Sequence, residues 1–230
     1  MLLLNRKSEL VQLSDKLVKI WSNYGKTEPY WSILTEEEYF MKNIKKNKDA
    51  FFESGKKRAE WIFEEMNTII PDFNPKKILD YGCGVGRITK YIPNADGCDI
   101  SSPHLEIAKK EAKNNFVLVE PGNCLKYYDF IFSLSVLQHV HPELMKKCIY
   151  SILDSLTING IAYLHIPYFM PFINNVNGQM EFHFLSKEEI NEIILFQNCK
   201  LLKVFDIRIS GPDILDAIFI IQKIRIDTPL

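Results

Sequence analysis

The run Ile78-Leu79-Asp80-Tyr81-Gly82-Cys83-Gly84-Val85-Gly86-Arg87 concentrates residue types that can cradle a ligand. An apolar strand carrying an acid gives way to three glycines, which let the backbone turn tightly and approach a bound group closely. In open α/β sheets, ligands sit at the carboxyl ends of the strands. The spacing is not the dinucleotide fingerprint G-x-G-x-x-G: the third glycine comes one residue early, at Gly86, and Arg87 holds the fingerprint position. The Gly-Lys-Ser/Thr of a P-loop is absent. Asp99, in Gly97-Cys98-Asp99-Ile100-Ser101, lies 17 residues after Gly82 (99 − 82) and closes a second apolar run. His139, His141, His165 and His183 are the candidate proton acceptors, because imidazole titrates near neutral pH. His104 reads as an exposed helix residue. The five cysteines include no C-x-x-C pair, which argues against zinc ribbons, thioredoxin chemistry and disulfide scaffolds. Cys83, Cys98 and Cys124 read as small buried hydrophobes rather than nucleophiles.

Two regions must position these groups. Residues 1–74 are helical and charged. Leu10, Leu13, Leu17, Ile20 and Trp21 recur at helical spacing, and Ala59, Ile62, Phe63, Met66 and Ile70 mark a second helix before Pro71 and Pro75. From residue 75 onward, short apolar runs alternate with helices. Strands are expected over 78–81, 95–100, 116–119, 130–134, 161–166, 201–209 and 217–223. Helices are expected around 87–91, over 102–114 and 142–156, and from Ser186, whose Ser-Lys-Glu-Glu189 resembles a capping box. Such alternation predicts an α/β fold with a mostly parallel sheet. The last two strands, separated by Gly211-Pro212, leave no room for a crossover helix and should pair antiparallel.

Asp80-Tyr-Gly82-Cys-Gly84-Val-Gly86-Arg87 resembles the first motif of class I S-adenosylmethionine-dependent methyltransferases of the bacterial small-molecule type. Asp99, Gly122-Asn123-Cys124-Leu125, Asp129 to Val140 and Asn159-Gly160 resemble later motifs in the same order, so the resemblance spans roughly 78–223. It implies a Rossmann-like, seven-stranded, mostly parallel sheet with an antiparallel last strand, here with an N-terminal helical extension. It implies S-adenosyl-L-methionine as cofactor, S-adenosyl-L-homocysteine as product, and no metal. Asp80, Gly82, Cys83, Gly84, Gly86, Arg87, Asp99, Ile100, Asn123, Cys124, Ser135 and Gln138 are the expected cofactor contacts. Asp99 would accept from the ribose hydroxyls, Asp80 would orient the α-amino group, Ile100 would pack on adenine, and Asn123 with the backbone of Cys124 would read its edge. Asn123 departs from the family's usual Asp, although an amide oxygen still accepts from an amino group. An alcohol acceptor needs a base, for which His139 ranks first, His183 second and His165 third.

Residues 1–74 form the expected lid or extension and 75–230 the methyltransferase domain. Tyr24, Tyr30 and Trp31 in the lead-in, with Tyr168 in the loop 167–185, are the expected acceptor contacts. Residues 42–58 carry a local charge of +5 (six Lys and one Arg against Asp49 and Glu53), which could recruit an anionic acceptor. The acceptor is expected to be a sugar, a nucleotide-linked sugar or another metabolite, methylated on oxygen or nitrogen. Two other readings are an NAD(P)-dependent oxidoreductase with a variant glycine loop and a non-catalytic domain that binds the same cofactor.

The 230 residues suit one large domain with an appendage. Twenty-eight basic and 29 acidic residues leave a net charge of −1, whereas a nucleic-acid binder would show a clear basic excess. The apolar start is too short for a signal peptide, and no run reaches the ~18 apolar residues of a membrane helix. Solubility in a reducing compartment, the cytoplasm, is the expectation.

Overall fold

The computed structural model describes residues 2–171, 175–176, 180–208, 210 and 213–225. Two compact units result. A glycine-loop unit comprises residues 18–119, and a histidine unit comprises residues 1–17 with 120–230. Seven strands form the main sheet.

Two long helices come first, α1 (Leu2–Thr27) and α2 (Met41–Ile69). In α2, Ile44, Phe51, Phe52, Gly55, Ala59, Ile62 and Met66 are buried at three-, four- and seven-residue steps, which puts them on one stripe. Each fully buried large side chain of that stripe contributes about 1.5–3 kcal/mol relative to exposure. The helix begins at Met41, so the basic run and Phe51-Phe52 both lie within it.

In the glycine-loop unit, β1 (Ile78–Tyr81), β2 (Ala95–Asp99) and β3 (Asn115–Leu118) lie in the order β3-β2-β1. Both pairings are parallel, with Tyr81 opposite Cys98 and Asp99 opposite Leu118. Between β2 and β3 runs α3 (Ser102–Glu111), with Pro103 in its first turn, where a missing N–H costs nothing. The expected helix around 87–91 is a single 3-10 turn, Thr89–Tyr91.

In the histidine unit, β4 (Tyr128–Ser133) pairs in parallel with β5 (Leu156–Phe169). Next to β5 come β9 (Leu215–Lys223) and then β8 (Cys199–Ile207), both pairings antiparallel. The antiparallel last strand is thus as expected. Gly211 and Pro212, the expected punctuation before it, lie outside the described residues, as does Ile209. The helices here are α4 (Pro142–Asp154) and α5 (Lys187–Phe196). Ser186 caps α5 with the complete reciprocal capping box. Strand β5 is longer than expected at both ends: Asn159 at φ 67° and Gly160 sit inside it rather than before it, and Tyr168, expected in the loop 167–185, lies within its last residues, where the pairing with β9 shifts register. A two-stranded hairpin, β6 (Asn175–Val176) with β7 (Met180–Glu181), was not expected. Two-residue strands carry no readable periodicity.

His104 is buried, not exposed. Its Nδ1 lies 2.8 Å from Ser101 Oγ and its Nε2 lies 3.0 Å from Ser32 Oγ. Burial lowers its pKa, favouring a neutral ring with one donor and one acceptor nitrogen. The two hydroxyls meet that need, which offsets the cost of burying the polar ring.

Candidate active site

The glycine loop is closed by its own backbone. The N–H groups of Gly82 and Cys83 both donate to Cys98 O, at 2.8 and 3.0 Å, folding the end of β1 against the end of β2. Gly84 has φ 54°, and a Cβ there would stand 2.6 Å from Ile33 Cδ1. Gly86 has φ 73°, and its Cβ would meet the Phe116 ring at 2.9 Å. Only glycine meets both the dihedral and the space at these two positions.

The loop delivers two carboxylates to one end of the parallel strands. Asp99 Oδ2 accepts from Gly84 N–H at 2.8 Å, and its Oδ1 accepts from Ser101 N–H at 2.8 Å. Both oxygens are oriented, yet each keeps a further lone pair, and the residue is only half-buried. That pair of acceptors suits a pair of ligand hydroxyls. Asp80 is buried, and its Oδ2 accepts from Thr89 Oγ1 at 2.6 Å. Burial pushes its carboxyl up to about 7, against the pull of the Thr89 hydrogen bond and of Arg87. A buried acid poised in this way gains from a cationic partner.

Arg87 turns away from a free role. Its Nη1 donates to Ser54 Oγ at 2.9 Å, and its guanidinium lies 5.9 Å from the Phe51 ring centre. Its Nε is buried without a hydrogen-bond partner among the described residues. Burial first, then Arg58, lowers its pKa to about 10. Cys83 and Cys98 are buried free thiols, and burial raises the Cys83 thiol. Ile100 is half-buried just past Asp99.

The lead-in aromatics are packed. Tyr30 meets Phe51 edge-to-face at 5.2 Å, and Trp31 stacks on Phe40 at 4.9 Å and 9°. Tyr24 leans on Trp21 and Trp31, at 5.9 and 6.0 Å. All three expected acceptor contacts of this segment are buried. In the basic run, Lys48 pairs with Glu111. Lys42, Lys45, Lys46, Lys56 and Lys57 are exposed.

In the histidine unit, a chain of hydrogen bonds joins five of the side chains near the end of β4. Ser135, at φ 57°, donates its N–H to His165 Nδ1 at 3.1 Å. His165 Nε2 donates to Asp216 Oδ2 at 3.0 Å, and Ser210 N–H donates to the same oxygen at 2.8 Å. Burial pushes the Asp216 carboxyl up, but the bonds from His165 and Ser210 outweigh it and hold it below its ordinary value. Ser210 Oγ donates to Gln138 Oε1 at 2.7 Å, and Gln138 Nε2 donates to His139 Nε2 at 3.0 Å. His139 Nδ1 then donates to Glu181 O at 3.1 Å. Burial lowers the His139 pKa to about 4, so the ring is neutral at physiological pH.

His183 follows on the hairpin, its N–H donating to Gln138 O at 2.7 Å. Its Nε2 lies 3.4 Å from Glu181 Oε2, and Lys16 of α1 holds Glu181 Oε1 at 2.8 Å. Elsewhere in this unit, Tyr168 donates to Asp206 at 3.0 Å, under Lys187. Asn123 is exposed in a turn where its N–H donates to Glu120 O at 3.0 Å. Cys124 is half-buried beside it, and burial raises its thiol to about 11. Among the described residues, no group of three His, Cys, Asp or Glu could hold a metal. No described helix is long and apolar enough to cross a membrane.

Lys16, Glu181, Ser210 and Asp216 are functional candidates that the sequence reading missed. Asp216 had a signal: a lone acid inside the apolar run 214–221 needs a buried partner. Glu181 and His183 stand two residues apart, the spacing that puts side chains on one face of a strand, although β7 ends at Glu181.

Comparisons with known proteins agree with this fold. The profile of a family described as a methyltransferase domain matches residues 54–190. A ubiquinone biosynthesis O-methyltransferase from Rickettsia canadensis (strain McKiel) is 30% identical over 118 residues, covering 46% of this chain and 49% of that protein. A protein of the same description from Rickettsia felis is also 30% identical, covering 46% and 48%. The chain therefore spans about half the length of these curated relatives. Among solved structures, magnesium protoporphyrin IX methyltransferase from Synechocystis PCC 6803, with bound SAH, superimposes with a TM-score of 0.57 at 14% identity, covering 75% of this chain and 83% of that one. An amino pentose methyltransferase from Micromonospora echinaspora, with SAM bound, gives 0.57 at 12% identity, covering 74% and 91%. At such identities the structures establish the fold, the Rossmann-like sheet with flanking helices, and the profile establishes the family. The chain belongs to the methyltransferase-domain family, and its fold is that of the class I S-adenosylmethionine-dependent methyltransferases.

Proposed function

We propose that this chain transfers a methyl group from S-adenosylmethionine to a small-molecule acceptor, oxygen being the first target atom and nitrogen the second. The observation that carries the reading is Asp99, fixed by two backbone N–H groups at the mouth of a loop in which only glycine fits. Asp99 accepts from the two ribose hydroxyls. The backbone of Gly82, Gly84 and Gly86 admits the methionine portion, and Ile100 packs on adenine. Asp80 orients the α-amino group. When bound, the cofactor supplies an activated methyl on a sulfonium and leaves as a neutral thioether. The chain binds, orients and excludes water, and much of the rate comes from holding two reactants together.

Residues 1–74 are a helical extension to the domain of 75–230 and shape the acceptor site. Two contacts support that assignment: Ile33 lies against Gly84, and α2 presses Gly55 onto the Arg87 carbonyl. An anionic acceptor, such as a nucleotide-linked sugar, would suit the exposed lysines of α2. Five free cysteines fit a reducing, cytoplasmic setting.

Thermal shift assays with S-adenosylhomocysteine and with NADH separate the readings. S-adenosylhomocysteine should raise the melting temperature and NADH should leave it unchanged. The reverse pattern would identify an oxidoreductase.

A further inference from the structure

We propose that His183, oriented by Glu181, is the proton acceptor of the histidine unit, and that His139 and His165 are positioning residues. The inference rests on the methyl-transfer reading and concerns an acceptor whose hydroxyl must lose its proton.

Hydrogen-bond direction decides among the three imidazoles. His165 Nδ1 takes the Ser135 N–H, so the ring carries its proton on Nε2 and gives it to Asp216. Neither nitrogen is left to accept from a substrate. Its work is to hold Ser135 in a left-handed conformation that a non-glycine residue adopts only under constraint. His139 donates from Nδ1 to Glu181 O, and its lone pair on Nε2 is capped by the Gln138 amide. That amide cannot simply turn round, because Ser210 Oγ donates to its oxygen. His139 therefore pins the hairpin strand β7 to the segment after β4.

His183 differs in each respect. Its Nε2 faces the Glu181 carboxylate at 3.4 Å, which leaves Nδ1 as the basic nitrogen. No described residue hydrogen-bonds to that nitrogen. The charged and titratable groups facing it are Glu181, Lys16 beyond Glu181, His139 and His141. The His141 ring stands 5.5 Å away, with a buried Nδ1 that has no partner among the described residues. Burial, with the neighbouring His141, lowers the His183 pKa, which keeps the ring neutral and ready. Lys16 holds the Glu181 carboxyl below its ordinary value, so it stays charged opposite the ring. In the proposed step the acceptor O–H bond breaks and an N–H bond forms at His183 Nδ1. The proton leaves its electron pair on oxygen, and the imidazolium so formed is met by Glu181. An imidazole oriented by a carboxylate is a recurrent device for this task.

The test uses the full chain and needs no acceptor. Ring-nitrogen NMR, assigned with His183→Gln, His139→Gln and His165→Gln, reads each imidazole. His165 should carry its proton on Nε2, His139 on Nδ1, and His183 should titrate. Glu181→Gln should lower the His183 pKa by about one unit, a tenfold loss of proton affinity, and Lys16→Met should raise it. Diethyl pyrocarbonate at neutral pH, followed by peptide mapping, should label His183 ahead of His139 and His165. A His183 pKa unmoved by Glu181→Gln, or faster labelling of His139 or His165, overturns the assignment. If wild-type chain fails to bind S-adenosylhomocysteine while His183 behaves as stated, the methyl-transfer reading fails instead.

Discussion

Two carboxylates in one loop are prepared for opposite tasks. Asp80 is buried with its carboxyl raised to about 7, and Asp99 is half-buried and anchored by backbone N–H groups. For Asp80, the folded value lies above the ordinary 3.8, so its contribution to stability is full below that value and lost as pH rises to about 7. Asp80→Asn should therefore flatten the fall in melting temperature between about pH 4 and 7. The same group sets a pH dependence for ligand binding. A ligand ammonium favours the ionised carboxylate, so S-adenosylhomocysteine affinity should rise with pH up to about 7 and then level off. Calorimetry across that range should show the slope in wild type and its absence in Asp80→Asn. None of this was legible beforehand. The sequence placed Asp80 and Asp99 correctly at strand ends, but burial and the Thr89 partner depend on packing.

At the scale of elements, the approach of α2 to the glycine loop hangs on one residue. A Cβ on Gly55 would stand 2.0 Å from the Arg87 carbonyl oxygen, and backbone does not yield as a side-chain tip does. Gly55→Ala should destabilise the chain by about 1–3 kcal/mol, the usual cost of overpacking, and weaken cofactor binding with it. Chemical denaturation and ligand titration on the same variant would read both. Ser186→Ala removes the cap of α5 and should cost about 1 kcal/mol, with ligand binding unchanged. That cap was visible in Ser-Lys-Glu-Glu189 because a capping box is local. The hairpin β6–β7 was not visible, and its role depends on the bond from His139 to Glu181, 42 residues apart. His104 misled for the same reason, since its partner Ser32 is 72 residues away.

For the whole molecule, the strand sequence was readable because each strand is a short apolar run bounded by glycine, proline or a capped helix. The antiparallel final strand followed from the short connection before it. The family profile, over residues 54–190, begins within α2 and ends within α5, so it takes in the glycine loop and His139, His165 and His183, but not Ser210 or Asp216. What the sequence could not supply was how His139 and His165 are hydrogen-bonded, because their partners lie up to 51 residues away. The proposed binding of S-adenosylmethionine through Asp99 and the glycine loop is read by isothermal titration of S-adenosylhomocysteine into wild type and Asp99→Ala. Wild type should bind saturably with a dissociation constant below about 100 μM, and the variant should lose roughly a hundredfold, about 3 kcal/mol. No heat of binding to wild type at several hundred micromolar, or equal affinity for both proteins, would contradict that mode of binding.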